Sequence, residues 1–139
     1  MKCMSPVLLA LLLLPACSLF NPWAGSGEIP DDIQLVNQTG EPLYFSAWEL
    51  EASHLVDPLP SFDPESGSPF PEVAPGASAS VDDITGYRPG DDVRFFIYAL
   101  RQEKSEETAG QEVAKLVSVL TVRAEELRQS GGRVVVSEL

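Results

Sequence analysis

The chain has 139 residues, a length that suits one domain rather than two. Acids outnumber bases 21 to 9, for a formal charge of −12. Such a surface repels phosphate backbones and anionic lipid headgroups and argues against nucleic acid as a partner; its plain role is solubility, with a basic protein partner as the sharper alternative.

Lys2 begins a short positively charged start, and Val7 to Leu14 is an unbroken apolar run of eight residues. Spanning a bilayer takes roughly 20 residues, so the run fits the hydrophobic stretch of an export signal instead. Leu14-Pro15-Ala16-Cys17 follows directly. With Leu at −3, a small residue at −1 and Cys at +1, this stretch resembles the bacterial lipobox. The resemblance implies cleavage after residue 16 and a diacylglyceryl thioether on the Cys17 sulfur, followed by acylation of the new amine. Two or more acyl chains anchor stably where one holds only marginally. Ser18 in place of Asp leans toward the outer membrane if the source is Gram-negative. The expected domains are therefore a signal peptide over 1–16, a lipidated cysteine and tether over 17–31, and a folded domain over 32–139. Cleavage takes Lys2 away and leaves 8 bases against 21 acids, a balance of −13.

Cys3 lies in the discarded segment, so the body beyond Cys17 contains no cysteine. It has neither a disulfide nor a thiolate metal site and must rely on its core. The tether, rich in Gly, Pro and Ser, has a typical reach of about 20 Å. Its Phe20 and Trp23 can sit at the membrane interface or pack on the domain.

Residues 33–53 predict a strand, a turn and a strand. Asn37-Gln38-Thr39-Gly40 breaks the apolar run. Asn37-Gln38-Thr39 has the form of a glycosylation sequon but is read here as a turn. Leu43, Phe45 and Ala47 then alternate with Tyr44, Ser46 and Trp48, the period of a strand with one buried face. Residues 57–71 contain five prolines and predict a long loop, the best placed interaction surface, with Phe62 and Phe70 positioned to pin it to the core. Pro75-Gly76 and Pro89-Gly90 each turn the chain into a strand. In the second, Val93, Phe95, Ile97 and Ala99 form one face, while Arg94, Phe96, Tyr98 and Leu100 form the other, so that both look largely covered. Two covered faces describe a central strand. Residues 102–112 read as a charged loop.

The stretch 105–129 admits a helical stripe through Ala109, Val113, Leu116, Leu120 and Leu127. The β-branched Val117, Val119, Thr121 and Val122 favour a strand over 115–122. A short helix over 124–129 follows, ended by Gly131-Gly132, and Arg133–Glu138 closes the domain as a strand. The expectation is an all-β fold, a six- to seven-stranded antiparallel β-sandwich with one short helix before the last strand. The order of strands and turns resembles immunoglobulin-like and transthyretin-like sandwiches.

Groups that carry chemistry are sparse. His54 is the one histidine; Ser53 is its neighbour in sequence, which is not the geometry of a nucleophilic triad, and no Gly-x-Ser-x-Gly occurs. The pairs Asp31-Asp32, Asp82-Asp83 and Asp91-Asp92 raise calcium, which takes six to eight oxygens, but lack its loop spacing and read as solvated acids near strand ends. No catalytic, cofactor or metal residue is expected, and Cys17 as the lipid site is the one site residue. The expected role is a non-catalytic, membrane-anchored envelope lipoprotein that binds an unidentified protein partner. Two alternatives stand beside it. Intracellular proteinase inhibitor domains similarly open with a strand, an Asn-x-Thr turn and a later Pro-Gly turn, which implies an inhibitor; a small apolar ligand carrier would need a cavity between its sheets.

Overall fold

The structure is a computed structural model that describes residues 32–81, 84, 87–103 and 110–139. The strands are β1 (Gln34–Asn37), β2 (Leu43–Glu49), β3 (Ser61–Phe62), β4 (Glu72–Val73), β5 (Ser78–Ser80), β6 (Val93–Gln102), β7 (Glu112–Val122) and β8 (Arg133–Val136). Helix α1 covers Leu50–Ser53, α2 covers Ala124–Ser130, and a single 3₁₀ turn covers Pro64–Ser66. The described fold is all-β in two sheets. One is five-stranded in the order β3-β7-β6-β2-β4, the other three-stranded in the order β5-β1-β8.

The period-two pattern explains how the sheets meet. Leu43 and Phe45 on β2 and Val93, Phe95 and Ile97 on β6 share one buried cluster with Leu35 of β1 and Val134 and Val136 of β8. Both sheets thus contribute to a single core. As its sequence suggests, β6 is the central strand of the larger sheet, paired with β2 on one side and β7 on the other. Its second face, through Phe96 and Tyr98, joins Tyr44 and Ala114 in a separate buried cluster.

Two features differ from the expected antiparallel arrangement of six or seven strands. The described residues form eight strands, because the proline-rich stretch itself supplies the two-residue β3 and β4. Proline removes a backbone donor but leaves its neighbours free to pair, so short edge strands survive between prolines. The second difference is that β1 and β8 run parallel, Leu35 opposite Val134. Strands β2 and β7 lie two places apart in an antiparallel sheet and run the same way. Each is joined to the smaller sheet by a reversing connection, the 38–42 turn for β1 and α2 for β8, so β1 and β8 also run alike.

Over 112–122 the β-branched residues prevail and the chain is strand. Ile97 pairs Ser118 while Tyr98 pairs Leu116, so Val117 is an extra residue that forms a bulge in β7. Helix α2 ends as expected: Gly131 takes the left-handed conformation at φ 64°, and the Gly132 amide donates to the Leu127 carbonyl at 2.8 Å.

Candidate functional site

Cys17, the 1–16 segment, the tether with Phe20 and Trp23, Asp31, Asp82 and Asp83 lie outside the described residues. The remaining singled-out groups can be placed. His54 is exposed at the end of α1, and its backbone amide donates to the Glu51 carbonyl. The Ser53 hydroxyl donates to the Leu50 carbonyl within the same helical turn. Asp91 accepts from the Arg88 amide and Asp92 from the Ala124 amide, each at 2.9 Å. Asp32 accepts from Ser80 at 2.6 Å. These carboxylates hold turns, a helix start and a strand end, and among the described residues no three His, Cys, Asp or Glu side chains gather as a metal site. Asp91 and Asp92 share a depression of about 260 Å³ with Glu49 and Glu51, where Glu49 is itself occupied in accepting the Glu51 and Ala52 amides of α1.

The sequon-like Asn37 is wholly buried. Its amide donates to the Glu41 carbonyl at 2.8 Å and to the Val73 carbonyl at 2.9 Å. Its carbonyl accepts from the Thr39 amide at 2.9 Å and the Thr39 hydroxyl at 2.7 Å. All four hydrogen-bonding positions of the side chain are used, which fixes the β1–β2 turn against β4. It is a turn, as its sequence context suggests.

The unusual part of the molecule is the path from β2 to β4. After α1 the chain crosses the outer face of the five-stranded sheet. The Pro60 carbonyl accepts from the Leu116 amide at 3.0 Å, and Ser61 and Phe62 pair with Lys115 and Ala114 at the far edge of the sheet. From β2 to β3 is three strand spacings, about 14 Å. Asp63 caps the 3₁₀ turn through the Glu65 amide and accepts from Gln111, holding the turn near the start of β7. The chain then returns over β6 and ends in β4, beside β2.

Aromatic rings fasten this crossing. Phe62 meets Tyr44 edge-on at 5.5 Å, Tyr98 at 5.3 Å and Phe70 at 5.2 Å. Phe70 stacks on Tyr98 at 5.1 Å. Such pairs add roughly 0.5–1.5 kcal/mol each beyond the area they bury. Phe62 and Phe70 therefore pin the proline-rich loop, as expected, but to the outer cluster around Tyr98 rather than to the core between the sheets. The Tyr44 hydroxyl donates to Glu72 at 3.0 Å and ties β2 to the returning chain.

Between the outgoing and returning limbs lies a groove of about 190 Å³. Ser46, Trp48, Phe96 and Tyr98 floor it, and Leu59 and Phe70 wall it. Burial pushes the Tyr98 phenol above the ordinary tyrosine range. Tyr98 is fully buried, and its hydroxyl has no hydrogen-bond partner among the described residues. Leu59, on the outgoing limb, is 46% exposed, and Leu55 just before it is 91% exposed. The outward rows Tyr44/Ser46/Trp48 and Phe96/Tyr98 are legible in the sequence as alternation. The groove is not, because it depends on where a loop comes to rest.

Compared with protein-family models, curated proteins and solved structures, the chain matches none.

Proposed function

We propose that this protein is a membrane-anchored lipoprotein of the bacterial cell envelope, held by acyl chains on Cys17, with a non-catalytic domain that binds a protein partner. The observation that carries this reading is Leu14-Pro15-Ala16-Cys17 directly after the apolar run. Residues 18–31 then act as a tether of about 20 Å reach, and the acidic domain stands off anionic headgroups. In this reading the domain is a β-sandwich of immunoglobulin-like or transthyretin-like kind, supported by two sheets that share one core.

The partner-binding surface is the crossing segment, with its exposed Leu55 and Leu59. Exposed leucines held on a fastened backbone lose little entropy on binding.

Replacing Cys17 with Ser tests the anchor. The wild-type chain takes up radiolabelled palmitate and sediments with membranes. The Cys17→Ser variant takes up none and is released; palmitate label on the variant overturns the assignment.

One observation favours a proteinase inhibitor as a second reading. The loop is braced at both ends, by the Asp63-capped turn and by Phe70, and leaves Ser66–Pro69 exposed between them. Persistence of an intact 57–71 loop in excess protease, together with loss of protease activity, selects this reading; rapid nicking removes it.

A further inference from the structure

We infer that the open part of the β7 edge, Val117–Val122, pairs with the same stretch of a second copy of this chain, antiparallel about a two-fold axis at Leu120.

The bonds at the other end of β7 fix which way its backbone groups point. The Leu116 amide donates outward to the Pro60 carbonyl at 3.0 Å, and the Glu103 amide donates to the Gln111 carbonyl at 2.9 Å, closing the end of the β6–β7 ladder. Antiparallel partners alternate between bonded and non-bonded pairs, so Arg101 with Val113 and Ala99 with Lys115 are bonded pairs. Across the bulge the alternation continues along β6 with Ile97, Phe95 and Val93, whose partners are Ser118, Leu120 and Val122. Those three residues of β7 turn their amides and carbonyls to β6. Val119 and Thr121 turn theirs away. Strand β3 covers only Ala114 and Lys115, and among the described residues nothing pairs with the outer side of β7 beyond Leu116. Two amides and two carbonyls are left open in a row.

The sequence does nothing to blunt this edge. Exposed edges are commonly guarded by charge or proline. Val117-Ser118-Val119-Leu120-Thr121-Val122 has neither, in a chain with 21 acids, and its Val119 is 49% exposed. A short, uncharged, β-branched segment without proline or glycine is the kind that pairs with its own copies, and no like charges meet across it.

The register is set by the neighbours. With the axis at Leu120, Val119 lies opposite Thr121 of the second copy and Thr121 opposite its Val119, which closes four hydrogen bonds. Leu120, which packs against the core between the sheets, meets Leu120 of the second copy as a non-bonded pair. Ser118 lies opposite Val122 of the second copy, the last residue of that β7. One place further on, past Val117, the edge is already taken at Leu116 by Pro60, where the incoming chain has passed into its own α2. The two strands therefore fill the open stretch without displacing β3. The contact is isologous and closes on itself. It is small, so the dimer is weak and depends on concentration. It uses neither Cys17 nor Leu55 and Leu59, and its failure leaves the proposed function standing.

Amide hydrogen exchange, resolved by NMR on the purified full chain at a fixed detergent-to-protein ratio, tests the pairing. The Val119 and Thr121 amides should exchange fast in dilute protein and slow by about tenfold or more in concentrated protein, the scale of one hydrogen bond. Ser118 and Leu120, bonded to β6, should be slow throughout. Val119→Glu sets like charges side by side across the axis and should abolish the concentration dependence at Thr121. Thr121→Pro removes an outward amide and no bond to β6, and should abolish it at Val119. Slow exchange at Ser118 and Leu120 shows that a variant is folded; Val119→Glu, at an exposed side chain, decides alone if the proline variant is not. Slow exchange at Val119 and Thr121 at every concentration would mean that the edge is covered within one chain, and fast exchange at every concentration that it is left for some other partner. Either result overturns the inference, as does a concentration dependence that survives Val119→Glu.

Discussion

Phe70 lies nearly flat on Tyr98, ring centres 5.1 Å apart and planes 17° apart, although they are 28 positions apart in the chain. This contact holds the returning limb of the crossing against the central strand. Replacing Phe70 with Ala removes the stacked face and the edge contact to Phe62. A cost of about 2 kcal/mol is expected, below that of a fully buried Phe because Phe70 is partly exposed. Cleavage within 57–71 by a non-specific protease should quicken while the far-ultraviolet sheet signal persists. Unchanged cleavage kinetics would mean that the rings do not hold the limb.

Removing the Tyr98 hydroxyl should not destabilise the protein. In Tyr98→Phe the aromatic contacts persist and an unpaired buried donor disappears, so stability at neutral pH should stay level or rise by about 1 kcal/mol. Urea unfolding measures this. A loss of 1 kcal/mol or more would show that the hydroxyl has an internal partner.

Alkaline pH should act through the same residue. Tyr98 is raised above 10.0 by burial; Tyr44 is raised by burial first, then by its hydrogen bond to Glu72 and by the charge of that carboxylate. Below about pH 10 both phenols are protonated in folded and unfolded chains and add no slope. Above it the unfolded chain loses these protons first and binds fewer, so stability falls as pH rises towards the folded-state values. Each tyrosine contributes at most about 1.4 kcal/mol per pH unit. Tyr98→Phe should lose stability less steeply than wild type above pH 10; parallel curves would refute the assignment.

Asn37→Ala breaks all four side-chain bonds at once and leaves the buried Val73 carbonyl without its partner. A loss of about 3 kcal/mol is expected, with a fall in Tm of about 10 °C or more for a domain this size. Asn37→Asp keeps the acceptor for Thr39 but turns a carboxylate oxygen on the Glu41 and Val73 carbonyls in a wholly buried site, and should lose at least as much as Ala. Calorimetry that finds Asn37→Ala within 1 kcal/mol of wild type would show that the turn stands without it.

Asp92→Ala should cost about 1 kcal/mol by freeing the first amide of α2. Millimolar calcium should shift the Tm of wild type no more than magnesium does, because Asp91 and Asp92 are committed to backbone amides. A calcium-specific rise that Asp92→Ala removes would restore the cation reading.

Local chemistry was readable from the sequence. Alternation through Leu43, Phe45 and Ala47 and through Val93 to Ala99 identified the two strands that build the core, and the β-branched run near Val119 and Gly131 marked the end of β7 and the cap of α2. What it could not carry was partnership at a distance. The Asn37 bond to Val73 joins residues 36 apart, and the parallel β1–β8 pair depends on two separate reversals of the chain. The acid pairs show the same limit: in sequence Asp92 is one of two adjacent carboxylates, and in space it serves a helix that begins 32 residues later. The candidate site was half-visible, since Phe62 and Phe70 were legible as anchors. The groove between the limbs arises only when three separate segments meet.

Strands β3 and β4 are the opposite margins of the larger sheet, and both belong to the one stretch between β2 and β5. A single piece of chain therefore covers part of each outer edge, at Leu43 and Tyr44 of β2 and at Ala114 and Lys115 of β7, where exposed amides and carbonyls could otherwise template pairing between molecules. One peptide bond cut midway, near Gly67, would loosen both shields together, and the nicked molecule would be open to end-to-end polymerisation from either side.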